Sequence, residues 1–473
     1  MNGRYKAPVL IIGAGPTGLG AAHRFLKSGF DDWAIYEKDD RVGGLSGSHK
    51  DDKGFTWDIG GHVVFSHYGL FTRLLDDLLG KNGYLNHERE SWIRILDRWL
   101  PYPFQNNIRY LPPEHCAKCL EGLINAAIRG GNNKSFENFH KFIMRTFGEG
   151  IAEIFMLPYN RKTWAYDPVK MDAGWIAERV SVPDPVRVAR NIVLGQDDVG
   201  WGPNNRFRFP KSGGTGAIWE ALAKSLPQNK INLNKQVVRI DVDSKSVIFD
   251  DGEKSGYGTI INTMPLDRLA ELCNNREWID TTSNLRHSSV NVIGLGIKGK
   301  PSEEMKTKCW IYFPESKAPF YRVTHFSHYS PNNAADINSN WSLMAEVSES
   351  SDKHVDRDSV CEDTIKGCVA MGLIDDEQQV FHSWSHRTEY GYPTPTIGRD
   401  KVLQSILPQL QKKSILSRGR FGSWLYEVGN MDHCYMQGYE AAGHILEGTP
   451  EFTLWRPHVI NDRHPVVGWD LYV

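Results

Sequence analysis

At 473 residues the chain is long enough for about three folding units of roughly 150 residues each. Its 40% hydrophobic and 24% charged residues are the balance of a globular protein, and exclude a disordered or membrane-embedded chain. Lys plus Arg total 55 against 57 Asp plus Glu, so a net charge of −2 excludes bulk attraction for nucleic acid or anionic lipid, and any anion site must be local. Seven scattered cysteines, an odd number, argue against a disulfide framework, and the one close pair, Cys116 and Cys119, has no second pair to complete a zinc site. No metal is expected.

In chain order, Val9 to Gly20 is apolar enough for a signal-peptide core, but Gly13, Gly15, Pro16 and Gly18 interrupt it. It reads as strand and turn, with a cytoplasmic location as the expectation. Pro8 to Ile12 is a predicted buried strand, Leu19 to Ser28 has helical spacing, and Trp33 to Tyr36 is a second strand. Glu114 to Ile192 reads as mostly helical, with breaks at Pro158, Pro168 and Pro183. Strand patterns recur at Trp92 to Trp99, Val237 to Phe249, Ser289 to Lys298, Trp341 to Val347 and Phe381 to Glu389, which predicts a second, largely antiparallel sheet. Asp432 to Leu446 has helical spacing just after Gly429-Asn430, so its positive end points at whatever lies in front of it. The fold class expected is α/β. A Rossmann-like unit from residues 5–75, 210–275 and 400–446 is interleaved with a helical unit, 110–205, and an antiparallel sheet unit, 76–109 and 276–399.

Gly13-Ala14-Gly15-Pro16-Thr17-Gly18 stands between a predicted strand and a predicted helix, as the G-x-G-x-x-G dinucleotide fingerprint requires. Gly13 makes the turn, Gly15 lets the backbone approach a pyrophosphate, and Gly18 lets helix and strand pack. Glu37 ends the second strand about 20 residues on, placed to accept ribose hydroxyls. Arg41-Val42-Gly43-Gly44-Leu45 follows at the spacing of FAD proteins, Val237-Val238 lies where a strand flanks the adenine, and Ile260 to Pro265 resembles the strand that re-enters an FAD domain. FAD is therefore the expected cofactor in preference to NAD.

Further motifs are more specific. Pro101-Tyr102-Pro103-Phe104-Gln105-Asn106-Asn107-Ile108, Tyr390-Gly391-Tyr392-Pro393-Thr394-Pro395-Thr396, Gly60-Gly61-His62-Val63-Val64-Phe65, Phe207-Arg208-Phe209-Pro210 and Gly419-Arg420-Phe421-Gly422-Ser423-Trp424 resemble UDP-galactopyranose mutases of the eukaryotic type. The resemblance runs from about residue 8 to residue 446, with the motifs in family order. It implies a flavin-dependent interconversion of UDP-galactopyranose and UDP-galactofuranose by ring contraction. Reduced-flavin N5 attacks the anomeric carbon and forms a covalent sugar adduct, with no net redox. It also implies that NADPH is open as the reductant, although no nicotinamide fingerprint is visible.

By the same resemblance Arg179 and Arg322 meet the two phosphates, where a guanidinium suits phosphate oxygens, and His62 sits beside the isoalloxazine. The cofactor set is Gly13, Gly15, Thr17, Gly18, Glu37, Gly44, Gly61, Val238, Arg420, Asn430 and Met431. The substrate set is Tyr102, Phe104, Gln105, Phe155, Asn160 and Trp164 for the uridine, Tyr312, Tyr329, Tyr392 and Tyr426 near the pyrophosphate and the flavin, and Asn204 and Trp310 besides. Two positions depart from the family pattern: Gly200 precedes Trp201-Gly202-Pro203-Asn204 where Asn is usual, and Met431 follows Glu-Val-Gly-Asn where Gln is usual. The rivals are the same chemistry on a different nucleotide sugar, a redox enzyme of the amine oxidase superfamily, and a flavoprotein sensor without catalysis. The fingerprint alone does not separate them.

Overall fold

The computed structural model describes residues 8–130, 136–176, 179–202 and 204–461. Val9–Ile12 is buried along its whole length because it lies at the centre of a parallel five-stranded sheet. Trp33–Tyr36 and Thr259–Asn262 flank it in register, and Ile231–Asn232 and Ile415–Ser417 form the edges. A strand covered on both faces needs the unbroken apolar run seen here, not alternation. The following helix is Pro16–Lys27, starting before Leu19 because Pro16 occupies the first turn, where no N–H is required. A Cβ on Gly18 would run into Gly13 O, so only glycine lets this helix sit so close to the strand. The same helix packs along the C-terminal helix Met431–Glu447, Gly438 lying against Thr17 O and Gly20 against Tyr435 O. The start of the C-terminal helix is thereby held beside the fingerprint turn.

The second sheet has seven strands, in the order Val380–Thr394, Arg286–Lys298, Asn340–Glu349, Arg322–His325, Trp310–Tyr312, Ser91–Ile95 and Arg98–Pro101. All neighbours are antiparallel except Trp310–Tyr312 on Ser91–Ile95. Trp92 to Trp99, expected as one strand, is a hairpin. The chain reverses at Leu96 and Asp97, with φ of 50° and 56°, a turn that usually uses Asn or Gly and so carried no signal. Val237 to Phe249 likewise divides into Val237–Asp241 and Ser246–Phe249. Asp241 Oδ1 caps the turn by accepting from Asp243 and Ser244 N–H, and with Lys254–Gly256 these strands form a separate three-stranded sheet.

The helical region comprises Pro113–Ile128, Phe139–Ile151, Leu157–Trp164 and Pro185–Leu194. Pro158, expected as a break, interrupts nothing. It sits in the first turn of Leu157–Trp164, and the preceding wide turn Ala152–Met156 removes the bond and the clash that proline would otherwise disturb. Cys116 and Cys119 lie on Pro113–Ile128, and burial pushes the Cys119 thiol up to about 12. The apolar core of this region ends on Tyr102, Tyr312, Tyr392 and Tyr426, which mark where it meets the seven-stranded sheet. No helix among the described residues is long and apolar enough to cross a membrane.

Glu440, inside the C-terminal helix, is 3% exposed and accepts from Thr453 N–H and Oγ1, both at 2.9 Å. Burial pushes its carboxyl up to about 8, from 4.5. The native state therefore holds a proton that the unfolded chain releases near pH 4.5, so stability falls as pH rises from about 4.5 to 8 and levels off above. Glu440→Gln removes that slope. Chemical denaturation at pH 5 and pH 9 should show the variant gaining on the parent protein at the higher pH, and an equal difference at both would contradict the assignment.

Candidate active site

Four hydrogen bonds converge on one buried acid. Glu346, 2% exposed, stands in register opposite Arg322 on the neighbouring antiparallel strand, which brings the two side chains together. Arg322 Nε donates to Oε1 and Nη2 to Oε2, each at 2.8 Å, in the bidentate fork. Tyr321 OH donates to Oε2 at 2.6 Å and Gly61 N–H to Oε1 at 2.9 Å. A Cβ at Gly61 would lie 2.6 Å from Thr324 Oγ1 and 3.1 Å from Glu346 Oε1, so only glycine admits this approach. Arg322 Nη1 makes no bond to a described residue and remains available. The next residue, His62, has its imidazole pushed down to about 4, by burial first and then by Arg322 and Arg420, against the pull of Glu346. It is neutral at pH 7, and its Nδ1 has no partner among the described residues.

From Glu346 a wall of phenols and guanidiniums runs to the C-terminal helix. Tyr392 OH lies 3.1 Å from Tyr321 OH. Arg420 stacks over Tyr392 at 5.1 Å and Tyr426 at 5.5 Å, and is tied by donation to Gly391 O and Gly429 O. Arg179 covers Tyr426 at 4.8 Å, donating from Nη1 to Asn430 Oδ1 and from Nη2 to Glu427 O, while its buried Nε has no partner among the described residues. Asn430 precedes Met431, the first residue of the helix. Trp164 closes the wall edge-on to Tyr392 and Tyr426. Ala177 and Glu178, which directly precede Arg179 in the chain, and Pro203 lie outside the described residues.

The aromatic end is layered. Phe104 stacks on Phe155 at 4.5 Å and Phe155 on Tyr159 at 5.2 Å, and Tyr159 meets Tyr312 edge-on. Phe104 is fully buried behind Phe155, so it supports that ring and offers no face of its own. Gln105 donates to Ser181 O at 2.6 Å and Asn160 to Met156 O at 2.8 Å. Trp310 Nε1 donates to Tyr312 OH at 2.7 Å, while the fully buried Tyr329 packs on Phe207 and Phe209, its OH without a partner among the described residues. Arg89 stacks over Tyr102 at 5.1 Å and donates to Asn204 Oδ1, Trp201 O and Val199 O. In the fingerprint cradle, Glu37 takes Ala14 N–H on Oε2 and Asp39 N–H on Oε1. A Cβ on Gly44 would lie 3.4 Å from Gly15 Cα, and Thr17 opens the fingerprint helix below them. Val238 is 41% exposed.

This structure superposes on a crystal structure of a reduced UDP-galactopyranose mutase with a TM-score of 0.94 and 46% identity, covering 97% of this chain and 98% of the other. The chain belongs to the UDP-galactopyranose mutase family. The Flavin containing amine oxidoreductase family pattern also matches residues 16–446, so the chain sits within that wider family of flavin enzymes. Protoporphyrinogen oxidase 2 of Arabidopsis thaliana is 22% identical over 311 residues, 56% of this chain and 58% of the relative. The chain spans little more than half the length of the curated relatives it matches. A CLA-producing fatty acid isomerase from P. acnes, at 14% identity and TM-score 0.63 over 93% of this chain and 99% of the other, shares the fold alone.

A flavin dinucleotide fits the residues present. The Gly15–Gly44 approach leaves backbone, not side chains, facing the pyrophosphate position, and each Glu37 oxygen keeps a lone pair for a ribose hydroxyl. The structure adds Glu346, Tyr321, Tyr159 and Arg89 to the residues that the sequence singled out. Tyr321 and Tyr159 lie in the family-like stretches Pro319 to Arg322 and Phe155 to Asn160 without being singled out there, whereas no motif marked Glu346 and Arg89, whose positions depend on strand register and on contacts between distant segments. Arg89 ties the segment 199–204 by three bonds. A bond from a charged group contributes about 1.5–3 kcal/mol, so Arg89→Ala should speed amide hydrogen exchange across this segment about tenfold or more. Unchanged exchange would contradict the tether.

Proposed function

We propose that the chain binds FAD in the fingerprint cradle and interconverts UDP-galactopyranose and UDP-galactofuranose without net redox. The observation that carries this reading is the cationic and phenolic wall formed by Arg322, Arg420, Arg179, Tyr321, Tyr392 and Tyr426, set between the cradle and the aromatic pocket of Phe155, Tyr159 and Tyr312. Bound in its reduced form, the flavin supplies the nucleophile for the anomeric carbon and is regenerated in each cycle.

The chain's own residues do the rest. Arg322, fixed by Glu346 through Nε and Nη2, presents Nη1 to the diphosphate and stabilises its charge as it leaves and returns. Arg179 shares that role when it exchanges Asn430 for phosphate. Tyr312, Tyr392 and Tyr426 give neutral donors to the remaining phosphate oxygens, since burial raises the phenols of Tyr312 and Tyr392 well clear of ionisation at neutral pH. Neutral His62 can accept or return a proton at Nδ1 as the sugar opens and recloses. Tyr159, backed by the stacked rings of Phe155 and Phe104, stacks the uracil, and Gln105 and Asn160 read its edge. A redox enzyme for amines or apolar substrates would need an apolar or anionic chamber here, and three arginines oppose both.

Protein reduced with dithionite or NADPH should convert UDP-galactofuranose to UDP-galactopyranose with no reductant consumed per turnover, while oxidised protein is silent. Undiminished turnover by oxidised protein, or one-for-one consumption of NADPH, would refute the reading. Arg179→Ala and Arg322→Ala should each weaken UDP binding about 10–150-fold, one charged hydrogen bond of about 1.5–3 kcal/mol. UDP affinity unchanged in both would remove the phosphate assignment. At Gly200 a Cβ meets nothing within 4 Å, so Gly200→Asn fits. It should raise kcat/KM for UDP-galactofuranose by roughly 2–12-fold through one regained bond. A lowered value would favour a different sugar.

A further inference from the structure

The loop that carries His62 ends at His67, and His67 is fastened to the first turn of the C-terminal helix. Asp432 Oδ2 accepts the backbone N–H of His67 at 2.9 Å and lies 2.7 Å from its ring Nδ1. The carboxylate is 1% exposed, and the His433 ring lies 4.5 Å from that of His67, with Nδ1 3.5 Å from Asp432 Oδ1. Burial works against ionisation, yet the carboxyl is held well below the usual range by the His433 and His67 rings and the His67 bonds; since burial also keeps the His433 imidazole neutral at pH 7, the bonds from His67 are what hold the charge there. A buried charge persists only where such partners are in place.

What this carboxylate joins gives the contact its meaning. Just before Asp432, Gly429 O accepts from Arg420 and Asn430 Oδ1 from Arg179. At the other end of the loop, Gly61 hangs from Glu346 and His62 follows it. The loop is therefore held at both ends, to the seven-stranded sheet at Gly61 and at His67 to the helix that packs along the fingerprint helix, and between them by the backbone pairing of Val64 with Arg208. We propose that Asp432, through His67, is a positioning residue that holds the His62 loop against the start of the C-terminal helix and thereby sets the protein's affinity for its flavin. This inference rests on the FAD reading above.

The test uses full-length protein stripped of flavin and titrated with FAD, with UDP affinity measured in parallel. Asp432→Leu removes both bonds. His67→Asn keeps an N–H donor where Nδ1 stands, and His67→Leu does not. FAD affinity should fall at least tenfold in Asp432→Leu and His67→Leu, as expected for a lost bond to a charged group. It should stay near the parent value in His67→Asn, with UDP affinity held in all three. Parent affinity for FAD in a folded Asp432→Leu overturns the proposal, as does an equal loss in His67→Asn and His67→Leu, which would make packing the cause. Should Asp432→Leu fail to fold, the two His67 variants decide. A parent protein that takes up no FAD overturns the cofactor reading itself.

Discussion

The site is organised around a buried carboxylate that must be saturated. Glu346 lies on a strand whose every residue is buried, so its charge is tolerable only because an arginine, a phenol and a backbone amide all donate to it. Meeting that requirement fixes three things at once: the direction of Arg322, the position of Tyr321 beside Tyr392, and the path of the chain at Gly61 just before His62. Removing any donor leaves the others aimed at a poorly compensated charge, so the cluster behaves as a unit.

That cluster explains why the electrostatics suit a diphosphate. Each guanidinium is oriented by an acceptor, carboxylate for Arg322, carbonyls for Arg420, an amide and a carbonyl for Arg179, so little reorganisation is needed when an anion arrives. His62 is kept neutral by burial first, with Arg322 and Arg420 adding to it. The fold is shared with a fatty acid isomerase, so the fold alone does not fix the chemistry, and the side chains on the wall must carry the functional argument.

The cofactor end was legible in the sequence because its chemistry is local. Gly13 to Gly18 and Glu37 lie within 25 residues, and the buried strands flanking them leave one arrangement. The arginines and tyrosines were legible only through motif resemblance, since nothing in isolation distinguishes Arg322 from a surface arginine. Glu346 and Arg89 were not legible at all. Glu346 matters because Asn340–Glu349 pairs with Arg322–His325 in one register, and a shift by one residue would turn its side chain to the opposite face. Phe104 shows the opposite case: the sequence placed it with the uridine residues, and the structure sets it behind Phe155 as packing.

The central claim is that Glu346 acts on the substrate through Arg322. Calorimetric titration of UDP against Arg322→Ala, Glu346→Gln and the double variant tests it most directly. The account predicts that once Arg322 is gone, loss of Glu346 costs little more, giving a coupling of at least about 1 kcal/mol between the two. Additive losses, or a Glu346→Gln variant that binds UDP as tightly as the parent protein, would contradict it.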